Sequence, residues 1–403
     1  MLSLILGNNQ PIDVNSRRTL AAAILVGVIG PEVFIVQPGF VQGLVEHVGF
    51  DDQGAGYAAS AEMFGIAVTT ILLTFFAHRV NWRVVIAACL LTMALANALC
   101  TVTDDLNVFV LLRVLAGLGA GGLVSLSFAA IGLTDKPERN FGFLIMWVLV
   151  YGAIALVLMP STYALAGMNG VLWFFALFPL AALPVLRYLP ITGENVVQVE
   201  ADAVNLPGKL KGLALFAMLA YFIAQGVVWA YLFLIGVAGG LTEQLVANGL
   251  TISQFAGIAG ALLTALLGNR FGRSLPLSLG ILGGALCLLF LVGQFEFLVF
   301  ALAVSVYNFA WNLTHPFLLA AMASFDRRGR IVVYAVAMQM VGLAIGPSLA
   351  ASVIDEGDYV NVNWLGGGLF VLSLVLILPP VLAQAKALRI EAPAPGRQKC
   401  LET

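Results

Sequence analysis

Long apolar segments alternate with short polar connections along nearly the whole chain of 403 residues. About 20 apolar residues suffice for a helix to cross the hydrocarbon core of a bilayer, and twelve segments reach that length. They cover approximately residues 19–46, 56–77, 84–102, 107–132, 141–166, 169–188, 210–238, 243–267, 275–293, 297–322, 331–354 and 362–384. The pattern therefore predicts an all-α integral membrane protein with twelve transmembrane helices.

Composition and charge support a membrane location. Hydrophobic residues make up 61% of the chain and charged residues 10%, whereas soluble domains are roughly 25% charged. Lysines and arginines concentrate in every second connection, and cytoplasmic loops are the ones that retain them. We expect a multi-pass protein of the cell (inner, cytoplasmic) membrane with both termini in the cytoplasm. Because the basic residues are dispersed, we expect no nucleic-acid partner.

Cysteine spacing and nucleotide-binding motifs bear on cofactors. Cys89, Cys100, Cys287 and Cys400 share no close spacing, so we expect free thiols rather than a disulfide framework or a metal site. The sequence contains no G-x-x-x-x-G-K-[ST] stretch of the kind that binds nucleotide phosphates. The sequence therefore predicts no cofactor and no metal.

A polar linker divides the predicted spans into six and six. We expect a cytoplasmic N-terminal tail (1–18), a helical bundle (19–189), a cytoplasmic linker (190–209), a second helical bundle (210–385) and a cytoplasmic C-terminal tail (386–403). The basic loop after the second span aligns with the loop after the eighth, at the offset that aligns the first span with the seventh. Two parallel halves around a midplane site are one plan of secondary transporters.

Six plus six spans with basic loops after the second and the eighth resemble the major facilitator superfamily, whose loop motif is G-x-x-x-D-R-x-G-R-R. The second loop matches this motif at Arg270, Gly272 and Arg273, and Asn269 replaces its Asp. The first loop lacks the Asp, so gating is expected to depend more on the second. The resemblance implies two pseudo-symmetric six-helix bundles that rock in alternating access. The gating-loop residues are expected to be Arg79, Arg83, Asn269, Arg270, Gly272 and Arg273.

Two fragments are similar to those of exporters in this superfamily. The fourth span contains R-x-x-x-G-x-G-A starting at Arg113, a stretch linked to proton transfer in exporters. The eleventh span contains G-x-x-x-G-P starting at Gly342, similar to an antiporter motif that drug exporters carry in span five. The spacings Gly117 to Gly121 and Gly342 to Gly346 also predict close helix packing, since small residues let helices approach. No subfamily is indicated.

Arg113 is the basic residue that cannot be assigned to a loop or tail on the cytoplasmic side. A cation within the hydrocarbon costs roughly 2.5 to 3.5 kcal/mol and is a functional candidate by default. It could bind an anionic substrate, pair with a carboxylate, or be a structural cation. Glu32, after Gly30 and Pro31, is its expected partner, and joining or separating the two would bind or release a proton. A constitutive ion pair without a transport role is the alternative.

Two further polar residues in the first half each allow two interpretations. Glu62 is either an interfacial residue that reaches water or a second protonatable group near Arg113. Gln37 continues the first span outward and either lines the same vestibule or packs without contacting substrate. The expected proton-coupling residues are therefore Glu32, Arg113 and Glu62.

Polar and aromatic residues recur at helical spacing in spans seven and ten. Such a stripe facing lipid would be costly, so we expect it to face the bundle interior. The resemblance implies that spans one, four, seven and ten line the central cavity. For His315 we expect a hydrogen-bonded interhelical residue, with proton carrier as the alternative. The candidate substrate-binding residues are Arg113, Gln37, Tyr221, Gln225, Trp229, Tyr307, Asn308, Trp311, Asn312 and His315.

The leading hypothesis is a monomeric, proton-coupled secondary transporter that exports a small organic molecule by antiport. A proton symporter that imports a small organic anion, with Arg113 as the anion ligand, is the rival. An integral-membrane enzyme is a remote alternative, because the histidines and acidic pairs do not form a metal-binding cluster. The expected partners are a small-molecule substrate, protons and the lipid bilayer.

Overall fold

The computed structural model describes residues 12–192, 203–267, 272–327, 330–355 and 357–391. Within these ranges the chain folds into helices joined by short connections. The α-helices are α1 (Arg17–Ile29), α2 (Glu32–Ile35), α3 (Gln37–Gly43), α4 (Asp52–Phe76), α5 (Trp82–Cys100), α6 (Leu106–Gly132), α7 (Pro137–Ala181), α8 (Gly208–Ala238), α9 (Glu243–Leu267), α10 (Ser274–Cys287), α11 (Phe297–Ser324), α12 (Arg330–Ala351) and α13 (Val360–Glu391). Turns of 3₁₀-helix cover Ala77–Arg79, Leu183–Tyr188 and Leu288–Leu291, and a π-helical turn covers Leu44–Val48.

Ten helices in the described part of the chain are long and apolar enough to cross a membrane. They differ from the twelve predicted segments at two places. The first segment is divided among α1, α2, α3 and the π-helical turn, because Pro31 and Pro38 interrupt it. The fifth and sixth segments form the single long helix α7, which is kinked at Gly167, where φ is 58° and ψ is −161°. That positive φ favours glycine.

The helices pack in two groups that repeat one arrangement. In the first group, α1 to α7, helix α6 packs against α4 and α5, and α5 also packs against α7. In the second group, α8 to α13, helix α11 packs against α9 and α10, and α10 also packs against α13. The groups meet where α3 contacts α8, α4 contacts α12 and α7 contacts α9.

The distribution of side chains is that of a protein surrounded by lipid. Leu95, Leu165 and Leu266 are each more than half exposed on the outside of the helices. Asn97 and Arg113 are fully buried in the first group. Apolar groups can face hydrocarbon, whereas polar groups must be satisfied inside the protein. The described helices therefore fit a multi-pass membrane protein.

Glycines bring α4 and α6 into direct backbone contact. A Cβ atom added to Gly117 would overlap the backbone of Glu62, and one added to Gly121 would overlap the backbone of Ile66. In the second group, a Cβ on Gly346 would collide with the backbone of Gly226, so α12 and α8 approach in the same way. The predicted close packing at both glycine spacings is thus confirmed.

Gly117→Ala is expected to lower the melting temperature of the detergent-solubilised protein. The added methyl group has no room against the Glu62 backbone, and overpacking of this kind typically costs about 1–3 kcal/mol. Gly132→Ala, on the same helix but with nothing within 4 Å of its added Cβ, is the matched control and should melt like the wild type. Equal melting of the two variants would contradict the proposed contact.

Candidate functional site

Two prolines open the backbone of the first segment. Pro31 and Pro38 carry no N–H, so the carbonyl groups of Gly27 and Phe34 lose their normal helical donors. The indole Nε1 of Trp229 on α8 donates to the Phe34 carbonyl oxygen at 2.8 Å. The hydroxyl of Tyr151 on α7 donates to the Glu32 carbonyl oxygen at 3.1 Å. Side chains from both helix groups therefore hold the break that places Glu32 in the interior.

Arg113 lies in a closed pocket between four helices. Its Nη2 is 2.7 Å from Oε2 of Glu62 on α4, and its Nη1 donates to Oδ1 of Asn97 on α5 at 2.6 Å. The guanidinium lies over the ring of Phe40 on α3, 5.0 Å from the ring centroid. The side chains of Arg113 and Glu62 are 0% and 3% exposed. This is a buried ion pair whose guanidinium also donates a hydrogen bond to Asn97, and a charge in the membrane interior requires compensation of this kind.

Glu32 is fully buried, and neither of its carboxyl oxygens has a hydrogen-bond partner among the residues that the structure describes. It lies close enough to Arg113 and Glu62 to interact with both electrostatically. The direct partner of Arg113 is nevertheless Glu62 and not Glu32 as expected. The reason is the contact at Gly117, which brings α4 so close to α6 that these two side chains meet.

Of the two interpretations of Glu62, the structure agrees with the one that places it beside Arg113. Its side chain is buried and does not reach the surface. Gln37 is likewise buried, and its Oε1 has no partner among the described residues. One guanidinium and two carboxyl groups are thus enclosed together. Because an unpaired buried charge is expensive, an uncharged Glu32 fits this conformation.

The polar stripe of the second group is buried and largely self-satisfied. Tyr307 donates to Oε1 of Gln225 at 2.5 Å, and Nδ2 of Asn308 donates to Oγ of Ser253 at 3.2 Å. Nδ2 of Asn312 donates to Oδ1 of Asn308 at 2.8 Å. These contacts join α8, α9 and α11 into one polar layer.

Aromatic rings lie beside this layer, at the break in the first segment. Trp311 makes edge-to-face contacts with Phe34, Trp229 and Tyr307, at centroid distances of 6.1, 5.8 and 6.1 Å. Such edge-to-face pairs are favourable for aromatic rings. Phe34 belongs to the first group and the other three to the second, so the cluster spans both.

Tyr221 lies beside this cluster, since Phe370 contacts both Tyr221 and Tyr307, whereas His315 lies further along α11. Tyr221 packs against Phe222 and Phe370, between α8 and α13. His315 is within 2.9 Å of Oε1 of Gln339 on α12, in agreement with the interhelical interpretation. Their placement favours a packing role for both.

Several residues of the site were not anticipated from the sequence. Asn97 and Phe40 contact Arg113, Tyr151 contacts the Glu32 backbone, and Ser253 contacts Asn308. Asn97 had a detectable signal, because it is the one amide side chain within an otherwise apolar helix. The other three look like ordinary helix residues until their neighbours are known.

The predicted gating-loop residues are described only in part. Nε of Arg83 donates to the carbonyl oxygen of Leu189 at 2.7 Å, which attaches the start of α5 to the segment after α7. Gly272 has φ 64°, in the left-handed region that favours glycine. Arg79 is exposed and Arg273 is buried before α10. Asn269 and Arg270 lie outside the described residues, and the gating role stays a prediction.

Hydrogen bonds join the two groups at one end of the molecule, here called the distal end. There, residues 49–51, 239–242, 352–355 and 357–359 lie between helices. Tyr231 donates to the carbonyl oxygen of Asp52 at 2.7 Å, and Tyr359 donates to Oδ1 of Asp52 at 2.8 Å. The backbone N–H of Ser348 donates to Oγ of Ser60 at 2.8 Å. We call these five residues the distal latch. They connect the two groups at this end.

The sequence matches the family model for the Major Facilitator Superfamily over residues 22–325. The chain belongs to this superfamily of membrane transporters, and it is a transporter rather than an enzyme.

Relatives and solved structures agree with this membership. The Gentisate transporter of Corynebacterium glutamicum is 24% identical, covering 93% of this chain and 90% of the relative. The Benzoate transport protein of Acinetobacter baylyi is 24% identical over a shorter stretch, 40% of this chain and 36% of the relative. Among structures, the D-xylose-proton symporter has a TM-score of 0.71 at 15% identity, covering 90% of this chain and 97% of that one. Nucleoside transporter NupG has a TM-score of 0.67 at 16% identity, covering 92% and 98%. The structural similarity concerns the fold alone.

Separating Arg113 from Glu62 is expected to destabilise the protein strongly. Removing one member of a buried pair costs about 3–5 kcal/mol, because the other charge is left uncompensated. Glu62→Gln and Arg113→Met should each lower the melting temperature, and the double variant should lose less than the sum of the two. Glu32→Gln is the control, since Glu32 has no direct partner to strand. Additive losses would argue against the pairing.

Removing the two hydroxyl groups of the distal latch is expected to open the distal end. Tyr231→Phe with Tyr359→Phe deletes both hydroxyl donors to Asp52, at about 0.5–1.5 kcal/mol for a neutral hydrogen bond and more for one to a carboxylate. Spin labels at positions 46 and 242 should then show a larger population of long distances. Tyr57→Phe, which alters an exposed tyrosine on α4, is the control. An unchanged distance distribution would contradict the latch.

Proposed function

We propose that this transporter carries a small organic acid together with a proton, by rocking of two six-helix bundles. The bundles comprise residues 19–189 and 210–385, joined by the linker 190–209, with cytoplasmic tails at 1–18 and 386–403. The broken first segment and the two limbs of α7 are counted as three of twelve spans. The protein acts as a monomer in the cell inner membrane, with both termini cytoplasmic.

The observation that carries this proposal is the unpartnered Glu32 beside an ion pair that is already complete. In the closed conformation Glu32 is accommodated as the neutral acid. When the bundles rock and water reaches it, ionisation becomes favourable and the proton leaves. Because one proton and one monoanion together move no net charge, the pH difference across the membrane supplies the free energy that drives accumulation of the substrate.

In this proposal, residues of the second group bind the substrate. The rings of Trp229, Trp311 and Tyr307, with the amides of Asn308 and Asn312, offer an apolar surface next to hydrogen-bonding groups. Such a surface suits an aromatic carboxylate, and relatives of this chain are named for gentisate and benzoate. A proton and a monoanion together carry no net charge, so symport brings a neutral pair through the low-dielectric interior.

Arg113 takes a different role from the anion ligand expected in the symport hypothesis. Its guanidinium is enclosed by Glu62, Asn97 and Phe40, so we assign it to fixing Glu62 and setting the field at Glu32. Export by antiport stays an untested prediction. The glycines of its motif in α12 have a packing function against α8, which accounts for that motif without antiport.

Uptake into proteoliposomes tests the coupling. With labelled gentisate or benzoate and an imposed inward pH gradient, the wild type should accumulate the acid. Glu32→Gln should abolish gradient-driven accumulation but retain exchange of labelled for unlabelled substrate, because exchange needs no net proton movement.

Glu296→Gln is the matched control, since Glu296 is an exposed acid that precedes α11. It should behave as the wild type. Gradient-driven accumulation that survives Glu32→Gln would remove Glu32 as the proton carrier. Selective uptake of lipophilic cations in place of the acids would refute the substrate class.

A further inference from the structure

Gln254 on α9 carries a polar group without a visible structural use. Its side chain is 2% exposed, and its Nε2 has no hydrogen-bond partner among the described residues. Buried amide groups are nearly always hydrogen-bonded, and an exception calls for a specific explanation. A donor of this kind is suited to a ligand that is bound during only part of the transport cycle.

The amide side chains near Gln254, by contrast, have hydrogen-bond partners. Asn308 donates to Ser253, the residue before Gln254, and Asn312 donates to Asn308. Gly257, one turn further along α9, leaves room for that pair, since an added Cβ would lie 2.8 Å from Nδ2 of Asn312. The polar layer between α9 and α11 is therefore satisfied within itself, with the Gln254 amino group left over.

Gly152 on α7 packs closely against the Gln254 side chain. A Cβ added to Gly152 on α7 would lie 2.6 Å from Cγ2 of Ile35 and 3.2 Å from Oε1 of Gln254. Ile35 is one helical turn from Glu32 and adjoins Phe34 of the aromatic cluster. The contact at Gly152 thus joins α2 and α7 of the first group to α9 of the second.

Gln254 also lies at the depth of the candidate substrate residues. Gln254 is as many residues from Glu243, the first residue of α9, as Asn308 is from Phe297, the first residue of α11. Each amide therefore lies about 16 Å along its helix axis. Both helices start at the distal end, so the two amides are level. Transporters of this plan bind substrate near the midplane.

We propose that Gln254 is a substrate-binding residue whose Nε2 donates to a carboxylate oxygen of the transported acid when the bundles rock. This rests on the proposed function, because it takes an organic acid as the substrate. A neutral amide donor orients the carboxylate without the strong attraction of a cation, so the anion can leave once the bundles rock. With Gln254 as the donor, the ion pair between Arg113 and Glu62 stays intact.

The test measures KM and kcat for gentisate and benzoate uptake in proteoliposomes. Gln254→Met keeps the length of the side chain and removes the donor, so KM should rise about tenfold or more, as expected for losing a hydrogen bond to a charged group. The kcat value and the number of protons carried per substrate should stay unchanged. Gly152→Ala, whose added methyl group would push against Ile35 and the Gln254 side chain, should also raise KM.

Gln244→Met is the matched control, because Gln244 lies on the same helix, is exposed and bonds to Asn248. Its KM should equal that of the wild type. The melting temperature of Gln254→Met should not fall, since no partner is lost, and this separates a binding effect from misfolding. Quenching of tryptophan fluorescence by gentisate should show the same loss of affinity in detergent.

The outcomes separate this inference from the proposed function. If the wild type accumulates the acids in a Glu32-dependent manner but Gln254→Met and Gly152→Ala keep the wild-type KM, Gln254 is not a ligand and the proposed function stands. An equal rise in KM for Gln244→Met would also overturn the assignment. A wild type that neither binds nor transports either acid would overturn both.

Discussion

A guanidinium enclosed in the membrane interior must have a carboxylate beside it, and much of the first helix group is arranged around that requirement. Arg113 meets Glu62 because Gly117 lets α4 and α6 touch along their backbones. Asn97 accepts a hydrogen bond from the guanidinium, and the ring of Phe40 lies against it. Because Glu62 already compensates the charge of Arg113, the nearby Glu32 has no direct partner among the described residues. The absence of a partner for Glu32 is the chemical basis of the proposed proton coupling.

The interrupted first segment connects this charged centre to the second group. An intact helix would use the carbonyl of Phe34 internally, but Pro38 cannot donate to it, and Trp229 does so from α8. Movement of the second group therefore acts directly on the backbone two residues from Glu32. The ionisable residues lie in the first group and the amide and indole groups in the second, so rocking changes how the proposed proton and substrate sites face each other.

The distal latch connects the two groups, whereas the ion pair lies within one group, and this difference allows the groups to move apart. The latch consists of hydrogen bonds between the groups, from two tyrosines to Asp52 and from Ser348 to Ser60, each modest in net strength and replaceable by water on opening. The ion pair lies within one group, where opening does not need to break it. Separation of the groups can thus occur without exposing an uncompensated charge.

Hydropathy and charge were enough to predict that this chain lies in a membrane, where most of its helices run, and that Arg113 and Glu32 are interior residues, since both properties act along each segment separately. It also indicated the close contacts at Gly117 and Gly346 and the inward polar stripe of α11. Three features became visible only in the folded chain: Glu62 and not Glu32 pairs with Arg113, α7 runs through two predicted spans, and Gln254 contacts Gly152. A buried charge bonds to the partner that helix packing brings within about 3 Å, and that distance depends on residues remote in sequence.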